Sequence, residues 1–234
     1  MGDFSFGRDW PWIGAAAALG MLILLFGTTL LQADPARSRW RDRTWLAWAA
    51  MFLYLVHNVE EYGVDAMGRH YEFPSTLAET FPKAVADPPN AFYLAVNLSL
   101  FWLAAPLAAL LAKRHPLVGL ATCSVMAINL LTHVGAFFAA GYNPGLVTAV
   151  TLFLPMTAWV AFALFGEGRM SWKGFGVVLF AGVVLHVVLM ASIQLLVHGM
   201  LPARVAVWVQ VLNAALMLFV LWMGERILGE RLRA

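Results

Sequence analysis

Apolar residues fill this chain in seven long stretches that short polar connections separate. Each stretch has about 20 residues, the length at which an α-helix crosses roughly 30 Å of hydrocarbon. Inside a bilayer the backbone must satisfy its own hydrogen bonds, so we predict helices rather than strands. The predicted spans are Trp12–Gln32, Thr44–Val64, Ala91–Ala112, Pro116–Ala140, Gly145–Phe165, Gly174–His198 and Ala203–Gly224.

The composition agrees with a membrane protein. Hydrophobic residues make up 62% of the 234 residues and charged residues 12%, against about 25% charged residues in soluble domains. These values exclude a water-soluble globule and a disordered chain. With a net charge of +2 and its basic residues in short loops, the chain has no nucleic-acid-binding face. We therefore predict an all-α, polytopic transmembrane helix bundle, a single domain over residues 1–234, in a bacterial inner (cell) membrane.

The basic residues predict the orientation of the bundle. Four of the 15 Lys and Arg residues lie at one end (Arg8, Arg69, Lys83 and Arg204) and eleven at the other: Arg37, Arg39, Arg41, Arg43, Lys113, Arg114, Arg169, Lys173, Arg226, Arg231 and Arg233. By the positive-inside rule the second end is cytoplasmic, which places the C-terminus inside and, with seven spans, the N-terminus outside.

One connection is long, and on this topology it is extracytoplasmic. It covers residues 65–90 and is rich in proline and acidic side chains, with a short helix predicted around Ser75–Phe81. We weigh two roles equally: a cap over a site in the outer leaflet, and a plain linker. The single Cys123 forms no internal disulfide and is too few for a thiolate metal site.

Ionisable groups inside the spans are rare. Of 13 acidic residues only Glu60 and Glu61 lie within a predicted span, and no Lys or Arg does. A carboxylate in hydrocarbon costs at least about 2.5 kcal/mol, so the pair implies a partner or a function. At 100° per residue, His57 and both glutamates project from one face of span 2. Asn129 and His133 likewise stack at i and i+4 on span 4.

These polar groups also share a depth. His57 and His133 both lie ~10 Å from the outer ends of their spans, and Asn97 and Gln194 come out at similar depths. His186 lies deeper, at ~18–20 Å, and is either a further ligand or a core histidine. We therefore predict a shared polar site containing His57, Glu60, Glu61 and His133, with additional candidates Asn97, Asn129, His186 and Gln194.

The segments HNVEE at 57–61, NLLTH at 129–133 and NPGLVT at 143–148 allow a resemblance to be named. Together they resemble the uncharacterised integral membrane proteins named for the HXXEE motif. The resemblance implies that His57, Glu60, Glu61, Asn129 and His133 are signature positions. It implies no activity. Pro144 and Gly145 are typical of a tight turn, and that turn would lie just above His133, where it could also roof the site.

Imidazole and carboxylate ligands suit zinc, iron or manganese, and a bound cation would offset two buried negative charges. Our first interpretation is a metal-dependent, hydrolase-like enzyme that acts on a membrane lipid or another apolar small molecule. His57, Glu60 and His133 would bind zinc or iron, and Glu61 would be the catalytic base. Three alternatives stay open: a metal-free lipid isomerase using Glu/His acid–base chemistry, a small-molecule or proton-coupled transporter, and a polar network that joins helices.

Overall fold

The computed structural model describes residues 5–79, 84–85 and 87–230. Over these residues the chain is helical, with no strand. The helices are α1 (Phe6–Gly27), α2 (Arg43–Tyr62), α3 (Glu72–Glu79), α4 (Asn90–Leu111), α5 (Val118–Ala140), α6 (Leu146–Leu164), α7 (Trp172–Val197) and α8 (Ala203–Leu228). Four residues used in the sequence analysis lie outside this described part: Phe81, Lys83, Arg231 and Arg233.

Six of the described helices are long and apolar enough to cross a membrane, namely α1 and α4 to α8. This confirms the predicted all-helical bundle and is compatible with a multi-pass membrane protein. Helix α2 has 20 residues, enough for about 30 Å, but it is not among the six because polar residues occupy its last two turns. The seventh span and the orientation therefore stay predictions.

Helix α2 lies in the centre of the bundle, where it contacts α1, α4, α5 and α6. Twelve of its 20 residues are buried, and these include its His, Asn and Glu side chains. Asp42 begins the helix by accepting a hydrogen bond from the backbone N–H of Trp45 at 2.9 Å, as N-cap residues do. The most polar helix of the bundle is thus held by apolar neighbours on several sides.

The predicted bounds of α1 were wrong by five or six residues at each end, since the helix covers Phe6–Gly27 rather than Trp12–Gln32. The helix can start before Pro11 because another donor replaces the helical hydrogen bond that proline cannot make. Proline has no N–H to donate to the carbonyl four residues back. That carbonyl, on Gly7, accepts instead from Asn90 Nδ2 at 2.8 Å. At the other end, the Leu25 carbonyl accepts from the indole of Trp45 at 2.9 Å.

Helices α4 and α6 each contain one wide, π-helical turn, at Leu98–Ala104 and Ala149–Phe153. A proline is the second residue after each turn, Pro106 and Pro155, and π-turns are frequent at functional sites. The two turns bring one phenylalanine each against the same tyrosine of α2. The ring centroids of Phe101 and Phe153 lie 3.5 and 4.9 Å from that of Tyr54. The wide turns therefore shape the wall around the polar stretch of α2.

A hydrogen-bonded turn leads from α2 into the short helix α3. Asp65 is buried, accepts from the backbone N–H groups of Met67 and Arg69, and pairs with the Arg69 guanidinium at 2.8 Å. The short helix expected in this connection is present, but it starts at Glu72, three residues before the predicted start.

Basic side chains and buried carboxylates meet at the opposite end of the bundle, here called the basic end, which comprises residues 33–43, 112–117, 165–173 and 225–230. Glu225 contacts His115 at 3.0 Å and accepts from the backbone N–H of Leu117 at 3.1 Å. Glu230 accepts from the backbone N–H of Ser171 at 3.2 Å. These carboxylates bind the C-terminal end of α8 to two loops, so their role is to stabilise the fold.

Cysteine labelling tests whether α2 spans the membrane. In a Cys123→Ala background, single cysteines at Ala36 and Met67, both exposed, flank α2. If α2 crosses the bilayer, an impermeant maleimide labels Met67→Cys on intact cells but labels Ala36→Cys only after permeabilisation. Lys173→Cys, at the basic end, should behave like Ala36→Cys. Labelling of the Ala36 and Met67 positions from the same side would show that α2 does not span.

Candidate functional site

Three buried side chains meet near the C-terminal end of α2, opposite the basic end: His57 and Glu61 from α2 and His133 from α5. Glu61 Oε1 lies 3.4 Å from His57 Nε2 and 3.2 Å from His133 Nε2. One ligand atom from each residue lies within 4.8 Å of the other two, so the group could hold a metal ion. These residues are called the triad below. They come from two helices whose polar groups were predicted from the sequence to lie at the same depth in the membrane.

Hydrogen bonds to residues outside the triad determine which nitrogen of each imidazole carries a hydrogen. Thr148 Oγ1 donates to Glu60 Oε2 at 2.6 Å and therefore accepts from His57 Nδ1 at 2.8 Å. Asn143 donates its amide N–H to the His133 carbonyl at 3.1 Å, so its oxygen accepts from His133 Nδ1 at 2.5 Å. In this assignment both Nε2 atoms carry lone pairs, and both face Glu61.

The triad thus brings three acceptor atoms together in a buried space. Without a hydrogen or a cation between them, two imidazole lone pairs and a carboxylate oxygen repel one another. Histidines that bind metals usually donate the other ring N–H to a protein acceptor, as His57 and His133 do. Tetrahedral zinc with ligands at 2.0–2.1 Å separates them by about 3.3 Å, close to the observed 3.2 and 3.4 Å.

Glu60 points away from the triad and binds the start of α6. Its Oε1 accepts from the Tyr142 hydroxyl at 3.2 Å and the Val147 N–H at 3.1 Å. Its Oε2 accepts from the Thr148 N–H at 2.7 Å and from the Thr148 hydroxyl. A carboxylate at a helix N-terminus satisfies unpaired N–H groups and complements the helix dipole. The geometry therefore favours Glu61 over Glu60 as ligand, the reverse of the sequence-based assignment.

Tyr142 connects this arrangement to the turn before α3. Burial raises the pKa of Tyr142 to about 12, so its hydroxyl stays protonated and donates to Glu60. The same oxygen accepts from the Ala66 N–H at 2.9 Å.

The backbone of Gly145 closes the triad on one side. Its φ is +94°, and a Cβ built there would lie 2.6 Å from His133 Cε1, 2.8 Å from His57 Cε1 and 2.9 Å from Glu61 Cγ. Only glycine combines this conformation with so close an approach. The turn at 143–145 is thus both a connection between α5 and α6 and a roof over the three side chains.

A cavity of about 310 Å³ adjoins the triad on another side, with Glu61 and His133 in its wall. The rest of the wall is largely apolar and comes from α2, α3, α4, α5 and α7; Phe73 and Leu77 of α3 cover one side. Thr132, Ala136 and Met190 line the cavity and are also exposed on the outer surface of the bundle. The cavity therefore opens between α5 and α7 on a surface that faces hydrocarbon in a membrane.

The additional candidates differ in their placement. Asn97 and Asn129 line the cavity, and Asn129 Nδ2 lies 3.3 Å from His57 Nε2 while donating to the Tyr54 hydroxyl at 2.6 Å. His186 also lines the cavity, but its Nδ1 lies 2.8 Å from the Gly182 carbonyl and it is not part of the triad. Gln194 is exposed and is not among the residues of the cavity wall.

Three hydroxyl groups of this site were not predicted from the sequence, namely those of Tyr54, Tyr142 and Thr148. Helical spacing could have indicated Tyr54, which precedes Asn58 by one turn and Glu61 by two. Nothing in the local pattern indicates Thr148 or Tyr142, because their partner Glu60 lies more than 80 residues earlier.

Comparison with known proteins gives a match to one family model and no activity. Residues 48–160 match the family described as "Protein of unknown function with HXXEE motif", which confirms the resemblance read from the three segments. The matched range contains the triad, Glu60, Asn129 and the turn that roofs the triad. No curated protein and no solved structure matches the chain.

Replacing Gly145 tests whether the turn presses on the triad. Gly145→Ala adds a methyl group against three side chains, at a φ that strains alanine. Gly141→Ala is the matched control, because Gly141 also has a positive φ, +86°, and a Cβ added there would meet nothing within 4 Å. We expect each variant to lose about 1–3 kcal/mol of stability from backbone strain, and Gly145→Ala a further 1–3 kcal/mol, roughly, from overpacking.

Unfolding of the purified variants in one detergent provides the measurement. Equal losses for the two substitutions would contradict a close contact between the turn and the triad.

Proposed function

We propose that the triad binds one divalent metal ion, zinc or iron, and that the protein is a hydrolase-like enzyme of the bacterial cell membrane acting on a lipid or another apolar substrate. One observation carries this proposal: both imidazole Nε2 atoms and Glu61 Oε1 converge, while both Nδ1–H groups already donate to other residues. Three converging acceptors favour a cation. Two histidines and one carboxylate form a donor set typical of catalytic zinc and of non-haem iron.

Each residue has a role in this proposal. His57, His133 and Glu61 would hold the metal next to the cavity, whose wall includes Glu61 and His133. A zinc ion with three protein ligands and an open position makes water a nucleophile near neutral pH. Glu61 faces both histidines through Oε1, so its Oε2 is the oxygen that takes up a proton. Glu60 is a positioning residue, since it orients His57 through the Thr148 hydroxyl.

The cavity supports an apolar substrate. Its volume of about 310 Å³ lies at the lower end of the range for small-molecule sites. Apolar walls and an opening between α5 and α7 suit a hydrocarbon chain that enters from the bilayer. Helix α3 covers the cavity with Phe73 and Leu77, and this supports the cap role for the 65–90 connection over the linker role.

Metal analysis of purified variants tests the assignment of ligands. Glu61→Gln and His133→Gln each remove one ligand, so we expect their bound zinc or iron to fall by a factor of at least about ten, as loss of metal-site residues typically causes. Glu60→Gln should lose less metal than either ligand variant, because Glu60 acts on the triad only through Thr148, and should lose stability through its weakened helix cap. The measurement is ICP-MS after growth in zinc- and iron-replete medium.

His186→Gln is the matched control, since it removes a histidine from the same cavity but not from the triad. It should retain wild-type metal content. Loss of metal in Glu60→Gln, with retention in Glu61→Gln, would restore the roles predicted from the sequence. Wild-type protein without metal would overturn the metal centre and leave a proton shared among the triad, the arrangement expected of a metal-free acid–base isomerase.

Ester hydrolysis tests the reaction class and the lateral opening together. We expect metal-loaded protein in nanodiscs to hydrolyse p-nitrophenyl esters of long acyl chains, and Glu61→Gln to be inactive. Ala136→Trp narrows the opening between α5 and α7. It should slow hydrolysis of long-chain esters by roughly tenfold or more, a change of at least about 1.4 kcal/mol in barrier, with metal content unchanged.

Leu131→Trp is the control, because Leu131 is exposed on α5 but lies outside the cavity wall. Slowing by both tryptophans would argue against the opening as the substrate path. If metal-loaded protein hydrolyses no ester of the series, the hydrolase proposal is wrong while the metal site stands.

A further inference from the structure

A second cavity, of about 620 Å³, lies at the basic end, far from the triad. Four arginines line it, Arg37, Arg41, Arg43 and Arg169, and none of the described acidic residues does. This cavity is called the arginine pocket below. Nothing in the proposed enzyme uses it.

Among the described residues, no ion pair within 4 Å involves any of the four arginines of the pocket. Asp42 and Glu225 act on Arg43 only from a longer distance. Arg43 and Arg169 also donate to the backbone carbonyls of Lys113 and Phe162. The neighbouring Asp42 is buried, and its carboxylate accepts from the backbone N–H groups of Ala33 and Trp45 at 2.9 Å each. The Asp34 carboxylate accepts from the Ala36 N–H at 3.0 Å. Four like charges around one cavity repel one another, so the pocket favours an anion.

Aromatic side chains place the pocket at a membrane surface. Trp40 and Trp172 flank this end of the bundle and are 47% and 59% exposed, and Phe162, in the pocket wall, is 59% exposed. Exposed tryptophans at the end of a transmembrane bundle are typical of the headgroup layer. An anion in this pocket would therefore lie level with lipid phosphates.

An apolar groove of about 520 Å³ lies next to the pocket, along α2 and α6. Its wall includes Trp40, Leu53, Leu152, Pro155, Met156 and Trp159. The two walls are in contact, because the ring of Trp159 in the groove wall lies 5.5 Å from that of Phe162 in the pocket wall. The Trp159 indole also donates to the Trp40 carbonyl at 2.8 Å. The groove begins at the tryptophans and ends near the middle of α2, at Leu53. A hydrocarbon chain attached to a phosphate in the pocket could follow it.

We propose that this face binds one anionic phospholipid, with its phosphate among the four arginines and an acyl chain in the groove between α2 and α6. The positive charge of the pocket favours an anionic headgroup, and the apolar groove next to it favours a lipid over a free phosphate. This site is independent of the triad, so it stands or falls separately from the proposed enzyme.

Native mass spectrometry of the detergent-solubilised protein with defined lipids tests the site. We expect phosphatidylglycerol to bind at least about tenfold more tightly than phosphatidylcholine with the same chains, or than glycerophosphate without chains. Arg37→Gln/Arg41→Gln/Arg169→Gln should lower phosphatidylglycerol affinity by at least about tenfold, because each basic side chain contributes to attraction of an anionic lipid. Leu53→Trp, which fills the groove without changing a charge, should also weaken binding.

The matched control is Lys113→Gln/Arg114→Gln/Lys173→Gln, which removes three exposed charges from the same end but outside the pocket. It should bind phosphatidylglycerol like the wild type. If both triple variants lost phosphatidylglycerol affinity equally, the effect would be one of net charge alone, and the proposed site would be wrong. Glycerophosphate binding as tightly as phosphatidylglycerol, or unchanged binding in Leu53→Trp, would overturn the lipid assignment. If the first triple variant fails to fold, Leu53→Trp and the lipid series decide the outcome.

Discussion

The carboxylate of Glu60 at the first turn of α6 is the interaction on which the rest of the site depends. It joins the central helix to a segment more than 80 residues later through three donors from the Val147 and Thr148 backbone and the Thr148 hydroxyl. Buried in a low-dielectric interior, these bonds are strong, and leaving any of them unmade would be costly. They place Thr148 against His57 and hold Gly145 over the triad. A residue outside the triad thereby sets its geometry.

Five of the six buried carboxylates of the described chain accept hydrogen bonds from the backbone, and Glu61 is the exception. Asp42, Glu60, Asp65, Glu225 and Glu230 each accept at least one backbone N–H at a helix end or turn. Such acids serve the fold, because they satisfy donors that would otherwise be unpaired. Glu61 accepts no backbone N–H and faces only two imidazoles. This contrast in hydrogen bonding distinguishes Glu61 from the other five carboxylates more clearly than burial does, since all six are buried, and it is consistent with the role proposed for Glu61.

The sequence predicted most of the fold because apolar length alone identifies spanning helices. It placed α1 wrongly because the carbonyl freed by Pro11 is satisfied by Asn90 from another helix, a contact that no local pattern contains. For the site, helical geometry and equal depth correctly brought His57, Glu61 and His133 together. The roles of the two glutamates could not be read from one helix, because they depend on donors that α6 supplies. The hydroxyls of Thr148 and Tyr142 were missed for the same reason.

The position of Gly145 has a consequence for how an ion could reach the triad. The glycine backbone covers the three side chains on one side, and the neighbouring cavity opens toward hydrocarbon, through which a hydrated divalent ion does not pass readily. Exchange with the solvent would then require the turn or α3 to open. A cation held there would be kinetically trapped, and its identity would reflect which ions were available while the bundle assembled rather than the equilibrium affinities of the finished site.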